Sequence, residues 1–97
     1  MADDLQLARA ASDAALATDG VHSLGGGLFV EAATYGVGET VGGVVVTDNG
    51  VEVHIVAEYP PPKPIPELAD NVKDNVAPEV EGREVSVVVQ DLEVAEQ

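Results

Sequence analysis

The apolar and polar positions alternate most clearly from Val51 to Tyr59. Val51, Val53, Ile55, Ala57 and Tyr59 take one side, and Glu52, His54 and Glu58 the other. A period of two predicts a strand with one covered face and one wet or shared face. Just upstream, Val44–Thr47 is a second β-branched run, and the "DNG" between the two predicts a hairpin. Elsewhere the period lengthens. Ile65, Leu68, Val72, Val76 and Val80 recur at three and four, an apolar stripe on a helix opened by Pro66 and closed by Gly82. Glu67, Asp70, Asn71, Asp74 and Glu81 form its solvated side, and Pro78 should loosen its last turn by removing an amide donor.

"DDLQLARAASDAALATDG" predicts the first helix. Ala and Leu favour helix, Asp3 and Asp4 suit the positive N-terminal end, and Gly20 stops it. Leu5, Ala8, Ala15 and Leu16 share one face, with Leu7, Ala11 and Ala14 beside them. At the other end "REVSVVVQDLEVAEQ" predicts a strand with Val85, Val87 and Val89 on one face and Val88 and Leu92 on the other. The predicted order is therefore α-β-β-α-β. It makes a small single α+β domain over residues 1–97, in which a three-stranded sheet carries two helices on one face. Residues 1–4 and 94–97 are expected to fray.

Composition narrows the function classes. Ninety-seven residues suffice for one modest core, and its Val and Ala predominance with only Phe29, Tyr35 and Tyr59 as aromatics predicts a thin stability margin. The chain has no cysteine, which excludes a disulfide, a thiol nucleophile or a thiolate metal site. Four Lys/Arg against eighteen Asp/Glu give a formal charge of −14. Nucleic acid and anionic lipid both need clustered cations, whereas Arg9, Lys63, Lys73 and Arg83 are scattered. The acidity fits solubility or a salty cytoplasm, and more pointedly a basic partner. No apolar run approaches the ~20 residues of a membrane-spanning helix, and the acidic start lacks a signal peptide's basic region. A cytoplasmic protein is expected, peripheral to a membrane only through a partner.

"GVHSLGGGLFVEAATYG", Gly20–Gly36, is the one stretch that invites a nucleotide-binding reading. A dinucleotide loop places a third glycine at the sixth position, which is Val30 here; a phosphate loop needs Gly-Lys-Ser/Thr, and this stretch has no lysine. A flexible or positive-φ turn is the better reading. His22 and His54 fall short of a zinc ligand set without carboxylate help, and Glu67, Asp70 and Asp74 read as a solvated helix face. Ser12, Ser23 and Ser86 have no nucleophile-elbow context. Pro61-x-x-Pro64 matches the minimal polyproline-ligand spacing, but in "PPPKPIP" it more simply ends a strand and aims a helix. We therefore expect no catalytic residue, no metal and no cofactor. By elimination the candidate interaction surface comprises Gly25, Gly26, Gly27, Leu28, Phe29 and Tyr35, with Val88 and Leu92 on the final strand. That strand is an edge candidate for pairing with another copy, giving a homo-oligomer.

"DGVHSLGGGLFVEAATYGVGETVGGVVVTDNGVEVHIVAEY" followed by "IPELADNVKDNVAPEVEGREVSVVVQDL" resembles the alkaline shock, or envelope stress response, protein family, particularly its short actinobacterial members. The features that carry the resemblance are Gly20-Val21 after the first helix, the glycine-rich stretch, the Ala33-Thr34-Tyr35 triplet, a hairpin ending in Tyr59, the Ile65-Pro66-Glu67 helix start and the valine-rich final strand. It spans residues 5–94. The resemblance implies a non-enzymatic stress-response domain that works at the cell envelope through protein–protein contacts, in some members through a membrane-anchored partner. Where relatives have a glycine after the tyrosine this chain has "PPPKP", and −14 differs from any pattern of basic contact residues. The other reading is a KH-like nucleic-acid module, suggested by the element order. It is disfavoured by the charge and by a single helix, without a Gly-x-x-Gly loop, in the place of that module's helix pair.

Overall fold

A computed structural model describes residues 4–25, 33–36 and 39–94; for 33–36, 39 and 40 it describes the backbone course only. The chain is α+β. Helix α1 (Asp4–Leu16) leads through the turn at Gly20 into β1 (Val21–Leu24). A two-stranded ribbon, β2 (Ala33–Gly36) with β3 (Glu39–Gly42), precedes the hairpin β4 (Val44–Val46) and β5 (Gly50–Tyr59). Helix α2 (Ile65–Val76), a 3-10 turn (Ala77–Glu79) and β6 (Glu84–Val94) complete it. Asp4 opens α1 and Val94 closes β6.

β5 is the central strand. β6 pairs along one edge in parallel, while β4 and β1 both pair antiparallel along the other, at Val51–Val53 and Ile55–Ala57 respectively. β1 and β4 are therefore two halves of one edge, laid end to end. Between them the His54 backbone bridges the gap: Gly25 N–H donates to His54 O at 2.7 Å, and His54 N–H donates to Gly43 O at 2.7 Å. The ribbon β2–β3 grows out of this gap and lies against α1, with Val41 packed on the core. The expected three strands thus correspond to three ranks, but the first rank is split and a ribbon is inserted in it. Sequence reasoning took the region before Val44 as turn and missed β1, β2 and β3. They are strands of four residues each, bounded by glycines, too short to show a period of two.

The neck requires glycine at Gly43. Its φ is +84°, and a Cβ there would stand 2.9 Å from Gly25 O and 2.9 Å from the Leu24 Cβ. In the "DNG" hairpin, by contrast, Gly50 is a strand residue: Thr47 N–H donates to Gly50 O at 2.8 Å, and Asp48 and Asn49 make the turn. Among the described non-glycine residues only Glu81 has positive φ, so the primed turn that Asn-Gly ordinarily signals is not used. The absent side chain at Gly50 instead admits Glu84 O, 2.9 Å from where a Cβ would lie. Arg83 closes this corner by donating from Nη1 to Thr47 O at 2.8 Å.

One cluster holds the fold together. Val51, Val53, Ile55 and Ala57 bury against Leu68, Val72, Val76 and Val80 of the second helical segment and Ala8, Ala11 and Ala15 of α1. Both helices thus share one sheet face, as the pattern predicted. The helix opens one residue earlier than expected, with Pro64 as N-cap, and its α-helical part ends at Val76, where Pro78 converts the last turn to 3-10. The α1 expectation needs one correction: Leu7, Ala8, Ala11 and Ala15 are buried, whereas Leu16 is about half exposed at 48%. A helix this rich in alanine is nearly as apolar on its flank as on its seam, so the sequence pattern did not distinguish them. The helices are also tied by hydrogen bonds, Asn75 Nδ2 donating to Thr18 Oγ1 at 2.8 Å and that hydroxyl donating to Ala14 O at 3.0 Å.

Candidate interaction surface

β6 is built for pairing. "EVSVVVQDLEV" is rich in β-branched residues, and ten of its eleven residues pair with β5, the longest ladder among the described strands. Its other edge has no partner among the described residues. The strand has no Lys or Pro along its length, two of the usual guards of an open edge.

A register shift divides β6 in two. Ile55 aligns with Val89, but Val56 aligns with Asp91, leaving Gln90 as the extra residue of a bulge. One added residue exchanges the two faces. Before the bulge Val85, Val87 and Val89 face the helices; beyond it Leu92 and Val94 do, aligned with Ala57 and Tyr59. The expectation that Val88 and Leu92 share a face is therefore corrected. Val88, beside His54, lies on the open face of the sheet, and Leu92 lies on the helix face with Ile65 nearby. Nothing in the local composition marks a bulge at Gln90, because valine, glutamine and aspartate all fit an uninterrupted strand.

The exposed apolar side chains gather at the far end of this ladder. Tyr59 is 53% exposed, Leu92 43% and Val94 72%, and a shallow depression of about 380 Å³ runs from Ile65 past Val89 to Leu92. At the bulge Leu92 N–H donates to Asp91 Oδ1 at 2.8 Å, so this donor is satisfied within the strand. Val88 is 37% exposed on the opposite face.

Of the other sequence candidates, Gly25 stands at the neck, where the Gln90 amide lies 2.5 Å from the place a Cβ would occupy. Tyr35 pairs with Thr40 in the ribbon by its backbone. Gly26, Gly27, Leu28 and Phe29 lie outside the described residues, as does the direction of the Tyr35 ring. The structure thus brings Gly25 close to β6 and separates Val88 from Leu92. Sequence reasoning missed Tyr59 and Val94 as parts of the exposed apolar end: the first reads as a core position from its alternation and the second as a fraying terminus.

The open face carries the titratable groups. His54 Nε2 lies 2.5 Å from Glu52 Oε1, and Glu58 aligns with Glu93 across the β5–β6 pair. A second depression, about 240 Å³, opens between Val45, Thr47 and Asn49 of the hairpin and Glu52, Glu84 and Ser86. Among the described residues no group of three or more His, Cys, Asp or Glu is arranged to hold a metal, and no buried side-chain nitrogen or oxygen lacks a partner. No described helix is long and apolar enough to cross a membrane. Comparison with known proteins adds no assignment: no protein-family model, no curated protein and no solved structure matches the chain.

Proposed function

We propose that this chain is a non-enzymatic interaction protein of the cell-envelope stress response, acting through protein–protein contacts made by β6. The observation that carries the contact reading is the eleven-residue strand with one ladder edge open and Leu92, Val94 and Tyr59 exposed at its end. An open edge offers a row of backbone donors and acceptors, which an incoming strand satisfies without any special side-chain chemistry. The envelope setting comes from the family resemblance, and with it a cytoplasmic place that reaches the membrane only through an anchored partner. Crosslinking the native chain in cells, with membrane and cytosol fractionated separately, tests both parts. A crosslinked partner through β6 in the membrane fraction is the expected result. A chain that stays monomeric at high concentration and crosslinks to nothing removes the proposal.

A further inference from the structure

The proposed contact reading leaves open what kind of chain pairs with β6, and the charge around the strand addresses that. β6 carries Glu84, Asp91 and Glu93 and no cation. On the open face, Glu58 and Glu93 stand opposite each other in register, an unfavourable like-charge pair in a sheet. Near the strand's start, Glu52 aligns with Ser86, and the depression beside them is lined by both Glu52 and Glu84. Carboxylates therefore sit at both ends of the ladder, and between them lie Val88 and the His54 ring.

We propose that the free edge of β6, along 84–94, takes an extended segment of a basic protein, with cations at its two ends and an apolar residue at its centre. This deepens the contact reading and rests on it. A strand of that pattern pairs its backbone with the open ladder. It brings one cation to Glu52 and Glu84 and another to Glu58 and Glu93, relieving the like-charge pair, and lays its apolar centre beside Val88. A second copy of this chain fits less well. It would add its own Glu84, Asp91 and Glu93 to the same ribbon, on a chain that itself carries a formal charge of −14. Self-pairing would satisfy the backbone and worsen the electrostatics. A basic segment satisfies both.

The test uses the full chain and two synthetic ten-residue peptides. One alternates Val and Thr with Lys at both ends, and its twin has Glu for Lys. Binding is followed by fluorescence anisotropy and its location by amide hydrogen exchange. The Lys peptide should bind at least about tenfold tighter than its twin, lose about tenfold in affinity between ~50 and ~500 mM NaCl, and protect the amides of 84–94. Because successive amides of a strand point to opposite edges, either Ser86→Pro or Val87→Pro blocks the free edge while leaving the ladder to β5 intact. The variant of the two that keeps the wild-type melting temperature should lose the peptide about tenfold, whereas a general attraction to the acidic chain would leave binding unchanged and overturn the proposal. Equal binding of both peptides at the edge overturns the basic-partner inference and leaves the contact reading standing. So does self-association through β6 with no peptide binding. Loss of both readings requires no peptide bound, no self-association and no crosslinked partner in cells.

Discussion

Replacing Gly43 by alanine tests the split edge strand directly, and Gly82 provides the internal control. Both glycines have nearly the same positive φ, +84° and +81°, so an alanine pays a similar backbone cost at each, about 1–2 kcal/mol. Both substitutions also reduce the freedom of the unfolded chain alike, an effect of about 0.4–1 kcal/mol in the stabilising direction. The surroundings differ. At Gly82 nothing lies within 4 Å of the added methyl group, whereas at Gly43 it would sit 2.9 Å from Gly25 O, 2.9 Å from the Leu24 Cβ and 3.1 Å from Gly25 N. Two of those three atoms are backbone, held by the hydrogen bond from Gly25 N–H to His54 O, so they cannot swing aside. The steric excess at Gly43 should therefore resemble overpacking of a rigid site, about 1–3 kcal/mol. Urea denaturation followed by far-ultraviolet circular dichroism measures it. With a slope of about 1 kcal/mol/M, Gly43→Ala should unfold about 1–3 M earlier than Gly82→Ala, at unchanged slope. Coincident midpoints for the two variants would show that Gly43 is not pressed against Gly25 and that β1 and β4 do not meet end to end.

Three further substitutions probe the remaining supports. Thr18→Val removes the hydroxyl that accepts from Asn75 and donates to Ala14 O, and should cost about 1–3 kcal/mol in the same urea assay, with Asn75→Ala recovering the lower part of that range. Arg83→Ala should cost about 1–2 kcal/mol through its bond to Thr47 O, whereas Asp4→Asn should change stability by less than about 0.5 kcal/mol, because the Arg83–Asp4 pair is 3.6 Å apart and solvent-exposed at Asp4; comparable losses would reverse that ranking. Leu68→Ala, at a fully buried position of α2, should cost about 2–5 kcal/mol and lower the melting temperature by many degrees; a smaller loss would mean that the helix does not seal the core there.

The elements legible in the sequence were those whose burial imposes a period. β5 and α2 each bury one face against the same cluster, so their apolar residues recur at two and at three to four, and the helix end at Pro78 follows from a missing donor. β1, β2 and β3 were illegible because four residues hold two inward positions at most, and because Gly25, Gly36, Gly42 and Gly43 read as turns. The structure shows why some of those glycines are there. Gly43 lets two backbones close on each other at the root of an inserted ribbon, a long-range demand with no local pattern beyond glycine itself.

The interaction surface was legible in part for the same reason. The long final strand reads as an edge candidate, and among the described residues it pairs with β5 alone. Which side chains it presents depends on Gln90, because the bulge there exchanges the faces and sends Leu92 toward Ile65 while Val88 stays with His54. The consequence extends to charge. Without the bulge Glu93 would lie on the helix face and Glu58 would face an apolar neighbour; with it, the two carboxylates meet on the open face. A one-residue irregularity thus assembles both the exposed apolar end and the like-charge pair. Deleting Gln90 should therefore regularise the ladder while leaving Leu92 opposite Ala57 and Glu93 opposite Glu58, because the residue removed has no partner on β5.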